Sequence, residues 1–122
     1  MPKKKILVAE DEESISELLD IILRESYNLS FVKDGESVLQ EVKNVRPHLL
    51  LLDVMMPGMN GYQICENIRK DASIKDLKVA ILSAKGQERD ILTGLKSGAD
   101  YYLTKPFDPN ELKKKIDEII VS

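Results

Sequence analysis

Leu49-Leu50-Leu51-Leu52 runs straight into Asp53, and the fold is read outward from that junction. Four consecutive leucines read as a strand covered on both faces, the kind found at the centre of a parallel sheet. On the N-terminal side, Ile6-Leu7-Val8-Ala9 is a second short apolar run, and Leu29 to Val32 alternates more weakly, as an edge strand does. On the C-terminal side, Leu77 to Leu82 and Tyr101 to Leu103 complete a set of five strands. Amphipathic stretches separate them. Their apolar faces are Ile15, Leu18, Leu19, Ile22 and Leu23; then Val38, Leu39, Val42 and Val45; then Ile64, Cys65 and Ile68. Ile91, Leu92 and Leu95 form the fourth face, and Leu112, Ile116, Ile119 and Ile120 the last. Asp34, Asn60 and Asp108 stand where helix N-caps belong, Pro109 suits a first helical turn, and Pro47 stops the second helix. Five strand-helix pairs joined by short loops predict a doubly wound parallel α/β sheet with helices on both faces.

The composition narrows the function. The chain has 122 residues, 43% hydrophobic and 32% charged, which suits one globular domain that buries its own core. We expect residues 1–122 to form that single domain, with no output domain among them. One cysteine and one histidine exclude a disulfide framework and a multi-histidine metal site, and fit a reducing cytoplasm. No apolar run approaches the length of a membrane span, and Lys3, Lys4 and Lys5 lead into too short a run for a signal segment. Eighteen basic against 21 acidic residues give a charge of −3, so direct nucleic-acid binding is not expected.

Ligands of open parallel sheets bind beyond the carboxyl ends of the strands. Those ends carry Glu10 and Asp11, Asp53, Ser83, and Thr104-Lys105-Pro106. Two carboxylates about 4 Å apart repel by roughly 4 kcal/mol at an effective dielectric near 20. Three sharing a pocket therefore call for a cation or a retained proton. An all-oxygen donor set favours a hard divalent ion, magnesium before zinc. Acid, divalent ion, amine and hydroxyl are together the parts that move a phosphoryl group, and an ionised aspartate can be the nucleophile.

In these segments the chain resembles the receiver domain of two-component response regulators, the CheY-like family, from Lys5 to about Val121. The resemblance rests on Ile6-Leu7-Val8-Ala9-Glu10-Asp11-Glu12, on Leu51-Leu52-Asp53 through Met55-Met56-Pro57-Gly58-Met59-Asn60-Gly61, on Ile81-Leu82-Ser83-Ala84-Lys85, and on Gly98-Ala99-Asp100-Tyr101-Tyr102-Leu103-Thr104-Lys105-Pro106-Phe107. It implies a flavodoxin-like sheet of order 2-1-3-4-5 with five helices. Asp53 would be the phosphoacceptor, taking its group from a sensor histidine kinase or a phosphotransfer protein. Asp11 would bind Mg2+ directly, Glu10 through water, and the backbone carbonyl of Met55 would add a ligand. Ser83 and Lys105 would meet phosphoryl oxygens, and Tyr102 would be an aromatic switch responding to Ser83. Lys105-Pro106 would be a cis peptide. The resemblance implies a regulator that assists its own phosphorylation and dephosphorylation rather than an enzyme. The face of the fourth helix, fifth strand and fifth helix would change its affinity for an effector or output domain. The monomer would stay off membranes, with dimerisation on phosphorylation left open.

Two residues depart from the commonest family pattern. Glu10 stands where aspartate is frequent, and Gly94 lies inside the fourth helix, which we expect to be loosely held. Other residues read as structural: Glu12 and Glu13 as a solvated helix start, Cys65 as core, His48 as a strand-entry residue, and Tyr101 as facing away from Tyr102. Lys113, Lys114 and Lys115 read as a solvated face. Met55, Met56 and Met59 suit loop packing or an adaptable contact, and Met55 and Lys85 flank the site where they would tune phosphoryl lifetime. Competing functions fit less well. There is no G-x-x-x-x-G-K-[ST] phosphate loop. Met55 replaces the second aspartate of a haloacid-dehalogenase-type phosphatase. Four acidic residues after strand one would repel a flavin phosphate. A docking module that is never phosphorylated would have no need of Asp53, Ser83 and Lys105.

Overall fold

Leu49–Leu52 forms the middle strand, β3, of a five-stranded parallel sheet, and each of its leucines is at most 1% exposed. The computed structural model describes residues 2–58, 60–84 and 86–122; Met59 and Lys85 lie outside them. Along the chain come β1 (Lys4–Ala9), α1 (Glu13–Leu23), β2 (Tyr27–Val32), α2 (Gly35–Val45) and β3. There follow α3 (Gly61–Lys70), β4 (Lys78–Ser83), α4 (Glu88–Lys96), β5 (Tyr101–Thr104) and α5 (Pro109–Val121). The strand order is β2-β1-β3-β4-β5, so the winding reverses between β1 and β3. Val8 pairs with Leu51 and Ala9 with Leu52 across that reversal.

Strand side chains alternate between faces, and this divides the core in two. Leu50 and Leu52 join Leu7, Val38, Val42, Ile64, Ile68 and Ile81 beneath α2 and α3. Leu49 and Leu51 join Ile6, Val8, Leu19, Leu23, Leu112, Ile116 and Ile119 beneath α1 and α5. Each fully buried leucine contributes about 1.5–3 kcal/mol relative to exposure, which is why this run dominates the fold.

The three expected caps are present. The Asp34 carboxylate accepts from Ser37 N–H, Asn60 and Gln63 form a reciprocal capping box, and Asp108 accepts from Asn110 and Glu111 N–H with Pro109 opening α5. Two expectations need correction. β2 starts at Tyr27 rather than Leu29, because Tyr27 is buried and its hydroxyl donates to Asp117 of α5. The expected apolar face of α4 is not the packed one: Leu92 and Leu95 are 50% and 43% exposed. Instead the inner side of α4 carries half-buried Ile91, buried Gly94 and, just past its end, buried Ser97, with Gly94 against Tyr102 of β5. The missing side chain at Gly94 lets the helix lie close on Tyr102 of the edge strand, and that contact overrides the leucines.

His48 receives the Lys5 N–H on Nδ1 at 3.0 Å, which fixes the entry to β3. Cys65 is fully buried, and burial pushes its thiol up to about 11. The guanidinium of Arg69, on α3, bonds the carbonyls of Lys75, Leu77 and Gly98 and the carboxylate of Asp100. It thereby ties the α3–β4 and α4–β5 connections together.

Candidate functional site

The chemistry sits where the strand ladder runs one residue past the strands. Glu10 N–H donates to Val32 O at 3.0 Å, Asp53 N–H to Ala9 O at 2.9 Å, and Lys105 N–H to Ser83 O at 2.8 Å. Each main chain is thus pinned to its neighbour just before the loop departs. Gly61 allows the loop after Asp53 to fold back: a Cβ there would lie 2.9 Å from Val54 Cα, and its N–H donates to Val54 O.

Glu10, Asp11 and Asp53 come together as expected, each offering one oxygen, all within 4.8 Å of one another. Glu10 and Asp53 are only 2% and 5% exposed. The fit to a hard divalent cation is good, because the donors are all carboxylate oxygens and two of them are buried with incomplete neutralisation. Asp53 Oδ1 accepts the Met55 N–H at 3.0 Å, so the Met55 backbone runs alongside the carboxylate. Lys105 Nζ lies 2.6 Å from Glu10 Oε1 and 3.6 Å from Asp53 Oδ2. Burial, the adjacent Asp53 and the partly offsetting Lys105 leave Glu10 pushed up to about 7. For Lys105, burial pulls downward, but the pairs with Glu10 and Asp53 outweigh it and the ammonium is held above its ordinary range. Ser83 is fully buried at the end of β4, and the Lys105–Pro106 peptide is cis. The methionines divide: Met56 is packed at 7% exposure, whereas Met55 stands 61% exposed beside the acids.

Tyr101 and Tyr102 pack on opposite sides of the sheet, as alternation predicts. The ring of Tyr102 turns under α4, against Gly94 and on the same side as Ile81. Tyr62, at the start of α3, is its unforeseen neighbour. Burial first, and then the Tyr102 hydroxyl, push the Tyr62 phenol up to about 12. Tyr62 stands one turn before Cys65, so the periodic signal of the α3 face extends to it from Ile64, Cys65 and Ile68.

Comparison with known proteins settles the family. The sequence model of the response regulator receiver domain matches residues 6–117. The chain belongs to the response regulator receiver domain family. It is 41% identical over 115 residues to the DNA-binding response regulator MtrA of Mycolicibacterium paratuberculosis, covering 93% of this chain and 50% of that protein. The receiver domain thus spans about half the length of the curated relatives it matches. Among solved structures, a response regulator from Chloroflexus aurantiacus superposes with a TM-score of 0.92 at 31% identity, covering 98% of this chain and 99% of that one. The BeF3-activated DrrB receiver domain superposes at 0.88 with 28% identity, covering 98% and 99%. Membership of this family is consistent with phosphorylation-dependent two-component signalling. No helix among the described residues is long and apolar enough to cross a membrane.

Proposed function

We propose that residues 1–122 act as one receiver domain in which Asp53 accepts a phosphoryl group from the phosphohistidine of a kinase or phosphotransfer protein. The observation that carries this is the setting of Asp53. It is a buried carboxylate with one oxygen oriented by Met55 N–H and the other facing Lys105, beside two further acids. An Asp53 oxygen attacks phosphorus, the P–N bond breaks, and the imidazole leaves with the bonding pair and takes up a proton. The product is an acyl phosphate on Asp53. Glu10, Asp11, Asp53 and the Met55 carbonyl would hold Mg2+, which supplies charge neutralisation for the phosphoryl oxygens. Lys105 pairs with one of those oxygens and Ser83 hydrogen-bonds another. The domain accelerates its own modification and hydrolysis without turning over as an enzyme.

Ser83 and Tyr102 then shift the population of the α4–β5–α5 face, and that face meets an effector protein or an output domain. The exposed Leu92 and Leu95 on α4 support this reading. MtrA is by name a DNA-binding regulator. For this chain, with its net charge of −3, we assign any nucleic-acid contact to a partner or output domain rather than to residues 1–122. Tuning of phosphoryl lifetime falls to exposed Met55, with Lys85 outside the described residues.

Incubation with Mg2+ and acetyl phosphate, followed by intact-mass measurement, tests the assignment. One alkali-labile phosphoryl adduct is expected, dependent on Mg2+ and absent from Asp53→Asn. Persistent phosphorylation of the Asp53→Asn protein at the parent level would move the site elsewhere. Failure to form either this adduct or a beryllium fluoride complex would leave a docking module in its place.

A further inference from the structure

Phosphoryl transfer to Asp53 does not explain where Lys105 rests. An ammonium group meant for the phosphoryl oxygens would be best placed on Asp53, yet Nζ is 3.6 Å from Asp53 Oδ2 and 2.6 Å from Glu10 Oε1. Only the second distance is a hydrogen bond. The glutamate is held from its other side as well, because Oε2 accepts the Glu12 N–H at 3.3 Å. Both partners are shielded, Lys105 with 11% and Glu10 with 2% of the side chain exposed, so this is a geometry the fold maintains rather than a chance surface contact. Reach matters too. An aspartate at position 10 would be one methylene shorter, roughly 1.5 Å, and would fall out of hydrogen-bond range of the same ammonium.

We propose that Glu10 is a positioning residue that holds Lys105 off Asp53 until a divalent cation enters the acidic cluster, so that loading the cation releases the lysine. The inference deepens the phosphoacceptor reading and rests on it. Glu10 contributes one oxygen to a cluster whose ligand atoms all lie within 4.8 Å of one another. A carboxylate committed to a cation in that space loses its ammonium partner, because the two positive charges repel at contact distance. Freed Lys105 then has Asp53, 3.6 Å away, as its remaining ion-pair partner among the described residues. Cation and lysine thus become mutually exclusive on Glu10, and each weakens the other's hold by the same factor.

Mn2+ affinity, read from the free-ion electron paramagnetic resonance signal, tests this in a double-mutant cycle. Lys105→Met is expected to tighten Mn2+ about tenfold in the parent but less than about twofold in a Glu10→Gln background, since the general effect of removing one positive charge is common to both and cancels. Glu10→Asp serves in the same cycle if Glu10→Gln does not fold, with the same loss of coupling expected. Equal tightening in both backgrounds, or none in the parent, would overturn the proposal while leaving the cation site intact. Absence of any Mn2+ binding that Asp11→Asn removes would overturn the cation site itself, and this proposal with it.

Discussion

A methyl group at position 94 would place its carbon 2.7 Å from Tyr102 Cδ2, 2.9 Å from Cε2 and 3.1 Å from Ile81 Cδ1. Glycine inside a helix ordinarily costs about 0.5–1 kcal/mol relative to alanine. Here the steric penalty of alanine exceeds that gain, because two Tyr102 ring carbons and Ile81 Cδ1 all lie inside ordinary contact distance and would have to shift together. Gly94→Ala is therefore expected to destabilise the protein by about 1–3 kcal/mol, measured by urea unfolding followed by circular dichroism. Adding Tyr102→Ala should cancel or reverse that loss, since the two positions share one contact. A Gly94→Ala protein more stable than its parent would show that α4 is free to lift. From sequence alone the glycine suggested a loose helix; the close approach that accounts for it joins residues on separate elements and has no local signature. Glu10, Asp11, Asp53, Ser83 and Lys105 were legible because each stands within two residues of the end of an apolar run. Tyr62 was not, because its role depends on a ring arriving from β5.

At the level of elements, caps and helix faces separate what is locally determined from what is not. Asp34, Asn60 and Asp108 bond amides two or three residues away, so their roles can be read from a few letters of sequence. The facing of α4 is set by what lies under it, and the pattern of its leucines misleads. Arg69 is the opposite extreme: it bonds three carbonyls and one carboxylate, between 6 and 31 residues away in sequence. Nothing around an arginine at the end of an amphipathic helix announces such partners. Arg69→Ala should lower stability by about 2–4 kcal/mol, because charged-donor hydrogen bonds are lost together and partly buried carbonyls are left unpaired. Arg69→Lys should recover less than half, since an ammonium cannot reproduce the planar fork. Urea midpoints at unchanged m-value would report both; full recovery by lysine would mean that charge rather than geometry holds the two connections.

Across the whole molecule, the sheet order and the division of the core follow from five apolar runs and their alternation, which is why the fold was readable from sequence. The same arrangement gathers charge at one rim, and pH exposes the consequence. Glu10 is pushed up from 4.5 to about 7, so between those values the folded protein keeps a proton that the unfolded chain has lost. The sign follows: without a divalent cation, stability should fall as pH rises from about 4.5 to about 7, then level off. Asp71, held down at about 2 by Ser73 and Lys43, contributes stability that is lost only under stronger acid and leaves that window undisturbed. Calorimetric melting across the window should show the decline in the parent and not in Glu10→Gln; a parent curve that rises with pH there would contradict the protonated glutamate. The ladder that extends beyond the strands has a consequence for how news travels. With the amides of Glu10, Asp53 and Lys105 fastened to neighbouring strands, whatever docks at this rim meets a floor that does not give way. On the proposed reading, a change at Asp53 would then spread through side chains, toward Ser83, Tyr102 and α4, rather than through these fastened backbones. The hydrogen bond between Lys5 and His48 lies at the opposite rim, a strand's length away from the acids.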